Sequence, residues 1–546
     1  MAGGPPPRRG ARAISYADDV IRTLARAASD PRRREHAGVV AAALTAVLLS
    51  LTVLLTDPPY ATGDEPPHMD YAYQVWHGEL PVFEEGLELR PEGAWLAPVQ
   101  WTAQHPPLYY LLVAPLVGPL ADAGHPVAAV YAARAVNTLL AGLFVVVAWW
   151  SARRLSRPGS PLPPLVALVA CLTAAVAHVG GSGYNDLLAA VLVTTMYGVS
   201  ATAIRRGLDG RLVAALCLLA AGCALTRLST AVIAVVVAAV AVLAGVVRAA
   251  QGRGRRAPVV WLAVGGPVTA LAAAGWFYAR NVALTGNIQG SHFDWALANQ
   301  NRTERTVWEV LTDPITWARL PDLFWWAGRV PPRTDHPLTT LILTAVLLVW
   351  IPLFLAVLDR VRRRRGTLRS PEPVTTDPPA GDARTLHAAA TAPAGEPLPA
   401  PAAPWPGSLT DRRLLLALPW TAVGVAIVLQ VLYAASSGGV YPRYFLPVAL
   451  PLFLGVAAGL AVRPRLLVPV WAGITLADLG VWLVLELSTP AEAGLYSEPV
   501  APAAAVGVLA VASAVGATVL TLRAYRRPTT TAAAATSTAT RNQPPS

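Results

Sequence analysis

The sequence contains no lysine, so arginine alone supplies the positive charge behind a net charge of +11 over 546 residues. Only 14% of the residues are charged, whereas soluble domains have about a quarter. Together with a hydrophobic fraction of 54%, this argues against an ordinary soluble globular domain. The arginine bias is typical of a GC-rich genome. The basic residues form short runs between apolar segments rather than a basic face, so no nucleic-acid partner is expected.

Cysteine is also scarce. The three thiols, Cys171, Cys217 and Cys223, all fall inside apolar runs, where cysteine behaves as a small hydrophobic residue. Their placement excludes a disulfide framework and a closed zinc site. The chain also lacks a Walker loop and a Rossmann glycine fingerprint, so nothing in it points to a bound nucleotide.

Long apolar runs, in contrast, recur along the whole chain. Runs of about 18 residues or more are typical of membrane spans, and here they predict an all-α polytopic membrane protein with about twelve transmembrane helices. One stretch, 211–248, is too long for one helix, and "TRLS" at 226–229 predicts a break with Ser229 as the N-cap. The predicted spans are 39–56, 127–150, 163–180, 184–204, 211–226, 229–248, 259–278, 338–358, 413–434, 444–462, 466–486 and 500–522.

The sidedness of the spans depends on the segment 106–121, which is apolar but short and interrupted by Pro115 and Pro119. If this segment does not cross, the six arginine-rich loops later in the chain all face the cytoplasm, as the positive-inside rule favours. We therefore expect interfacial juxtamembrane helices within the first external loop. The N- and C-termini are then cytoplasmic in a multi-pass protein of the plasma membrane.

This topology divides the chain into five parts. The stretch 366–411 and the C-terminal tail are rich in small, polar and proline residues, which is typical of disorder. The predicted parts are a cytoplasmic segment 1–38, a main transmembrane region 39–358 with external loops 57–126 and 279–337, a disordered cytoplasmic linker 359–412, C-terminal transmembrane helices 413–523 and a disordered cytoplasmic tail 524–546.

Polar groups at membrane depth are costly and so require an explanation. A set of them lies near the outer ends of the spans or in the first external loop, where together they predict one extracytoplasmic cavity. The set comprises Asp64, Glu65, His68, His105, Arg134, Asn137, Asn185, Asp186, Arg227, Arg280, Asn281 and Arg443. Structural explanations remain open for each: an N-cap for Asp186, snorkelling for Arg227 and Arg443, an ion pair for Arg134, an exposed loop for His68, and a solvated turn for Asp64 and Glu65.

Carboxylates beside arginines, outside the membrane and next to lipid, suit a reaction on a lipid-linked phosphate. The planar guanidinium binds phosphate oxygens bidentately. A carboxylate can take the proton from an attacking hydroxyl, which is typically worth about 10²–10⁴-fold in rate.

The sequence resembles polytopic glycosyltransferases of the C-type fold, a group that includes bacterial protein O-mannosyltransferases and the aminoarabinose transferases of lipid A. The opening "DE-x-x-H-x-x-x-A" at 64–72 is most similar to bacterial members of no assigned role. The resemblance covers roughly 40–460 and lies in "GDEPPHMDYAYQVWHGELP", "QHPPLYYLL", "AARAVNTLLAGLFVVVAWWSARRL", "GYNDLLAAVL", "ALTRLS", "WFYARNVALTGN" and "YPRYFLPVALPL".

This resemblance implies an inverting transferase that uses a polyprenyl-phosphate sugar at the extracytoplasmic face, with its catalytic region in 39–358. Asp64 takes the position of the general base, and Glu65 and His68 would orient it or contact the acceptor. His105 would line the site, and Asp186 stands where relatives carry a second acidic residue. Arg227, Arg280 and Arg443 are the candidates for binding the donor phosphate. The implied partners are a lipid-linked sugar donor, membrane lipid and an acceptor hydroxyl of unknown identity.

Two aspects depart from this pattern or stay open. The C-terminal sugar-binding domain of the protein mannosyltransferases is missing, which puts a protein acceptor in doubt. No cofactor is certain. A divalent metal remains an option through His292 with Asp294, Asp335 with His336, or Asp64 with His68.

Two other classes of function compete with a transferase. Twelve spans are also common in transporters and lipid flippases, but these carry polar residues at mid-membrane, on broken helices of two matched halves. A non-catalytic subunit of an envelope assembly is the second competitor. It predicts that changes at Asp64 and Glu65 are silent.

Overall fold

The computed structural model describes residues 31–60, 63–94, 96–318, 321–326, 345–369, 408–488, 492–493 and 496–525. Most of this part is helical, and its two strands, β1 (Glu492–Ala493) and β2 (Tyr496–Ser497), form a minimal antiparallel hairpin.

The helices are named here in chain order. They are α1 (Pro31–Thr56), α2 (Glu65–Trp76), α3 (Leu108–Asp122), α4 (Pro126–Leu155), α5 (Leu162–Cys171), α6 (Ala174–Gly180), α7 (Asp186–Arg206), α8 (Gly210–Ala224), α9 (Leu228–Ala250), α10 (Arg256–Thr285), α11 (Phe293–Asn299), α12 (Val307–Thr312), α13 (Pro314–Ala318), α14 (Ile351–Arg369), α15 (Leu409–Ala435), α16 (Ala449–Leu460), α17 (Pro464–Ser488) and α18 (Val500–Ala524). Short 3₁₀ segments cover Trp101–Gln104, Pro321–Phe324 and Pro442–Val448, and a π-helical turn, Val346–Trp350, precedes α14.

Nine helices of the described residues are long and apolar enough to cross a membrane, which confirms an all-α polytopic membrane protein. A tenth span results if α5 and α6, which meet at a bend of 55°, are counted together. The predicted span 211–226 is the short apolar helix α8. The predicted span 338–358 begins outside the described residues and continues as α14.

The predicted break at 226–229 exists, but its chemistry differs from the prediction. Arg227 holds the N-cap position of α9, and Ser229 lies inside the helix, so Ser229 is not the cap. Two threonine hydroxyls satisfy backbone carbonyls across the break. Thr226 donates to Gly222 at 2.7 Å, and Thr230 donates to the carbonyl of Arg227 at 2.9 Å.

The first loop leaves and re-enters the bundle at the same end. Helices α1 and α4 run antiparallel, because the Tyr60 hydroxyl donates to Pro126 O at 3.1 Å and the Trp149 indole donates to Glu35 at 2.9 Å, at opposite ends of the pair. The intervening helices α2 and α3 therefore do not add a crossing, as predicted. Helix α3 runs unbroken through both of its internal prolines, contrary to the expected interruption.

The arginine-rich loops gather at the opposite end of the bundle. The Arg205 guanidinium of α7 donates to the carbonyl of Arg154 at 3.1 Å. At the start of α15, the Asp411 carboxylate accepts from Arg248 and Arg253, both at 3.1 Å. The fold thus separates an arginine-rich end from the end that carries the first loop.

The predicted boundaries shift at several points. Helix α1 already begins at Pro31, within the predicted N-terminal segment 1–38. Helix α14 continues to Arg369, so the start of the stretch expected to be a disordered linker, 359–369, is helical. The rest of that linker, up to residue 407, and the tail after residue 525 lie outside the described residues.

Candidate active site

A buried ion pair fastens the first loop to the bundle. Glu65, the first residue of α2, accepts from the Arg134 guanidinium of α4, with Nε–Oε1 and Nη2–Oε2 distances of 2.7 and 2.6 Å. Neither side chain is more than 1% exposed. The backbone N–H groups of Tyr60 and Gly183 donate to the same carboxylate at 3.2 and 3.1 Å. Both oxygens of Glu65 are therefore used to hold α2 against α4 and against the turn before α7.

The remaining donors of Arg134 reach the backbone where α1 ends. Nη1 donates to the carbonyls of Leu54 and Asp57 at 3.2 and 2.6 Å, and Nη2 donates to that of Pro58 at 3.2 Å. The fixed fork of five N–H donors suits such a cross-link. Arg134 thus joins α1, α2 and α4, which is the structural ion pair that the sequence left open as an alternative.

The turn between α6 and α7 presents Asn185 and Asp186 at the same end of the bundle. The Asn137 side chain of α4 donates to the carbonyls of Ser182 and Tyr184 at 2.6 and 2.8 Å. This amide replaces the backbone partners that the turn lacks. The position of Asp186 is therefore set by α4 as well as by α7.

Two aspartate–arginine pairs lie next to one another where these elements meet. Asp186 pairs with Arg227, and Asp64 pairs with Arg443. The two pairs are joined, since Arg443 Nε lies 3.7 Å from Asp186 Oδ2. Asn185 accepts weakly from Arg227 at 3.4 Å, and its Nδ2 atom is buried without a hydrogen-bond partner in the described part of the chain.

Tyrosine rings lie close to both guanidiniums. The Arg443 guanidinium carbon lies 4.9 Å from the ring centres of Tyr184 and Tyr441 and 5.4 Å from that of Tyr444. The Arg227 guanidinium carbon lies 5.1 Å from the Tyr444 ring. These are cation–π distances. The tyrosine rings therefore stabilise the positive charge of both guanidiniums at the cavity wall.

The structural explanations suggested for these charges do not describe their contacts. Asn185, not Asp186, occupies the N-cap position of α7, and no side chain caps that helix. The side chains of Arg227 and Arg443 are 14% and 20% exposed and engage carboxylates instead of extending into solvent. Asp64 is 33% exposed, against 3% for Asp186. Asp64 is thus the carboxylate more accessible to a bound molecule.

The two pairs line a cavity of about 390 Å³. This volume lies in the range of small-molecule sites. The charged side chains of its wall are Asp64, Asp186, Arg227, Arg302 and Arg443, which leaves one excess positive charge. The cavity therefore favours an anion.

Two imidazoles in the cavity wall are neutral. Burial lowers the pKa of His68 to about 3 and lowers that of His105 well below its usual value. His68 Nδ1 lies 2.9 Å from the Tyr110 hydroxyl, and the two imidazole centres are 6.1 Å apart. These histidines can exchange hydrogen bonds with a ligand but do not add positive charge at neutral pH.

An aromatic wall faces the cavity from two loops. Phe83 of the first loop stacks on His292 with ring centres 3.7 Å apart, and Trp295 of α11 packs edge-on against Phe83 at 5.6 Å. Gln104 accepts a hydrogen bond from Ser291 at 2.9 Å, which joins the same two loops. Such a mixture of ring faces and amide or hydroxyl groups suits the apolar faces and hydroxyls of a sugar ring.

The structure brings most of the predicted site residues to one cavity. Those that line it are Asp64, His68, His105, Asn185, Asp186, Arg227 and Arg443. Glu65 and Arg134 lie behind the wall in their own pair, and Arg280 donates to the carbonyls of Leu80 and Pro81 at 3.2 and 2.7 Å. The structure thus gives these three residues contacts with the protein rather than with the cavity.

Several residues of the wall were not predicted as ligand contacts. They are Phe83, Trp101, Gln104, Ser291, His292, Trp295, Arg302, Tyr433, Tyr441 and Tyr444. Tyr441 and Tyr444 flank Arg443 in "YPRY", so that motif held a signal for them. Within 290–302, His292 was predicted only as a possible metal ligand, and only the tertiary fold brings this segment to the first loop.

The proposed metal ligands that the structure describes do not assemble into a site. Within the described residues, no three or more His, Cys, Asp or Glu side chains lie close enough together to hold a metal ion. His292 pairs with Glu84 at 3.4 Å. Asp335 and His336 lie outside the described residues.

The fold and the site thus define a polytopic membrane protein with a charged, aromatic-lined cavity at one end. No family model matches the chain, and no curated protein is significantly similar to it. Its structure is similar to that of ArnT from Cupriavidus metallidurans bound to undecaprenyl phosphate (16% identity, 93% of this chain and 80% of ArnT covered, TM-score 0.39) and in the apo state (15%, 89% and 76%, 0.41).

It is also similar to the oligosaccharyltransferase of Archaeoglobus fulgidus (15% identity, 93% of this chain and 58% of that chain covered, TM-score 0.40). The likeness is too distant to extend to donor, acceptor or mechanism.

Proposed function

We propose that this protein is an inverting glycosyltransferase that moves a sugar from a polyprenyl-phosphate donor to a hydroxyl of a cell-envelope acceptor. The observation that carries the proposal is the paired arrangement of Asp64 with Arg443 and Asp186 with Arg227 along one cavity wall. It places a partly exposed carboxylate, which can accept a proton, beside two guanidiniums that can hold a phosphate.

The charge of the cavity supports a monophosphate donor. Its wall carries three arginines and two aspartates, hence one excess positive charge. A lipid-linked phosphosugar is a phosphodiester with a single negative charge, whereas a diphosphate-linked sugar carries two. The phosphodiester is thus the ligand that neutralises the wall.

The proposed reaction uses these groups in one displacement. The Asp64 carboxylate takes the proton of the acceptor hydroxyl while that oxygen bonds to the anomeric carbon, on the face opposite the phosphate. The bond from the anomeric carbon to the phosphate oxygen breaks, and its electron pair leaves with the polyprenyl phosphate. Arg227 and Arg443 hold the extra negative charge of this leaving group. The configuration at the anomeric carbon inverts.

The site's surroundings suit a lipid substrate. Helix α3 exposes Leu111, Leu112 and Leu116, which are 55%, 48% and 42% accessible. Exposed leucines on an apolar helix at the rim of a membrane bundle favour contact with acyl or polyprenyl chains. Since the arginine-rich loops lie at the other end of the bundle, the positive-inside rule assigns the cavity to the extracytoplasmic side and both termini to the cytoplasm.

The test is transfer by the purified protein in proteoliposomes. Polyprenyl-phosphate sugars, labelled in the sugar, are supplied with a cell-envelope fraction, and labelled polymer and free polyprenyl phosphate are measured. Wild-type protein should form both products, and Asp64→Asn should form neither while inserting normally. Asp122→Asn is the matched control, because it removes an exposed carboxylate of the same loop, away from the cavity.

Two results would contradict this assignment. Full transfer by Asp64→Asn would remove Asp64 as the base. Movement of the intact lipid-linked sugar across the vesicle membrane, without any cleavage, would instead favour the transporter class.

A further inference from the structure

The carboxylate proposed as the base is bound to a guanidinium proposed for the phosphate, since Asp64 accepts a hydrogen bond from Arg443 Nη2. We propose that Asp64 and the donor phosphate compete for Arg443, an inference that rests on the proposed function. Donor binding then releases Asp64 to accept the acceptor's proton. The donor must accordingly bind before the acceptor reacts.

The geometry of Arg443 leaves little room for both anions. A guanidinium offers two edges for bidentate binding, Nε with Nη2 and Nη1 with Nη2, and both edges include Nη2. Nη2 is the atom that donates to Asp64. Nε has no hydrogen-bond partner in the described residues and faces Asp186 Oδ2 at 3.7 Å. Nη2 carries one hydrogen on each edge, so a phosphate that binds the edge used by Asp64 displaces this carboxylate, and a phosphate on the other edge meets its negative charge across Nη2.

The surroundings of this guanidinium are also crowded. Tyr184, Tyr441 and Tyr444 place their ring centres 4.9 to 5.4 Å from the Arg443 guanidinium carbon. These rings limit the room for a second anion beside Asp64.

Asp64 is the partner that can leave. Its side chain is 33% exposed, and it makes no side-chain hydrogen bond at the start of α2, although it occupies the N-cap position. A partly exposed ion pair is weak, whereas a guanidinium–phosphate contact is charge-assisted and bidentate. Asp186, at 3% exposure, stays with Arg227.

The inference is tested with undecaprenyl phosphate, the lipid without its sugar, bound to purified protein in nanodiscs and followed by tryptophan fluorescence. Asp64→Asn should bind this lipid about fivefold more tightly than wild type, the upper end for the loss of a competing exposed ion pair. Because the Asp64 side chain caps no backbone N–H of α2, the fold should persist, and an unchanged thermal midpoint verifies this. Asp122→Asn, on the same loop, should bind as wild type does.

Unchanged or weaker binding by Asp64→Asn overturns the competition while leaving the proposed transferase intact. Failure of wild-type protein to bind undecaprenyl phosphate at all overturns the proposed donor, and with it this inference. A steady-state pattern in which the acceptor substrate binds productively before the donor also overturns the proposed order.

Discussion

The buried pair of Glu65 and Arg134 gives the sharpest test of what the acidic motif does. Replacing Glu65 by glutamine keeps the shape of the side chain but leaves the Arg134 guanidinium, 1% exposed, without its counter-charge. In the wild type, Arg134 and the backbone N–H groups of Tyr60 and Gly183 all donate to the Glu65 carboxylate. The glutamine amide would turn its own NH₂ donor toward some of these donors.

The expected cost follows from these contacts. Breaking a buried ion pair by removing one partner typically costs about 3–5 kcal/mol, because the other charge stays buried. In a chain of 546 residues, that should lower the thermal midpoint by about 3–4 °C. Glu79→Gln is the matched control, since Glu79 is exposed in the same loop. The midpoint is measured in detergent by tryptophan fluorescence.

A double substitution separates a structural role from a catalytic one. Glu65→Leu with Arg134→Leu removes both charges, and it should cost less stability than either single change, because no buried charge is left unpaired. If Glu65→Gln kept the wild-type midpoint but lost transfer, the structural reasoning would be refuted. Glu65 would then act on substrate, as the sequence motif first indicated.

Three further perturbations check other parts of the site. Arg443→Ala should weaken undecaprenyl phosphate binding at least about thirtyfold. Arg280 lies outside the cavity, so the affinity of Arg280→Ala for this lipid should stay within about twofold of wild type. Equal losses of affinity in the two variants would contradict the assignment of Arg443 to the phosphate. Burial raises the pKa of Asp70 from 3.8 to about 6, so the fold should lose about 3 kcal/mol as pH rises through that window. Asp70→Asn should remove this loss from the thermal midpoint, and a wild-type midpoint independent of pH would count against it. The three native thiols are buried, so an introduced cysteine can report the sidedness of its loop. Glu92→Cys should react with an impermeant maleimide in intact cells, whereas Arg211→Cys should react only after lysis. The reverse pattern would show that the topology is inverted.

The bundle itself could be predicted because membrane spans are encoded locally. A run of apolar residues specifies a helix whatever its neighbours are. The arginine-rich loops then indicate which ends of the spans lie on the same side of the membrane. Counting the spans between them was enough to place Asp64, Asp186, Arg227 and Arg443 at one end of the bundle. The bend between α5 and α6 and the short α8 did not follow, since they depend on packing against neighbouring helices.

The pairing of charges could not be predicted because adjacent residues diverge at a helix start. Asp64 and Glu65 are neighbours in sequence, yet successive helical positions point about 100° apart. Asp64 therefore faces the cavity and Arg443, while Glu65 faces α4 and Arg134. Sequence patterns give the depth of each charge along the bundle but not its direction around the helix. Because the sequence does not give the direction in which each side chain points, Glu65, Arg134 and Arg280 were predicted as site residues together with those that line the cavity.

The contacts of Glu65 also explain why a buried ion pair stands one residue from the proposed base. One oxygen of Glu65 accepts from the backbone of Gly183, two residues before Asn185, while both oxygens accept from Arg134. The carboxylate thus fixes α2, which begins directly after Asp64, relative to the turn that carries Asn185 and Asp186. A site that must hold two aspartates within reach of one guanidinium needs such a fixed frame, because misplacement by about 1 Å can cost about 100-fold in rate. We therefore propose Glu65 as a positioning residue, and its substitution should reduce turnover even in molecules that remain folded.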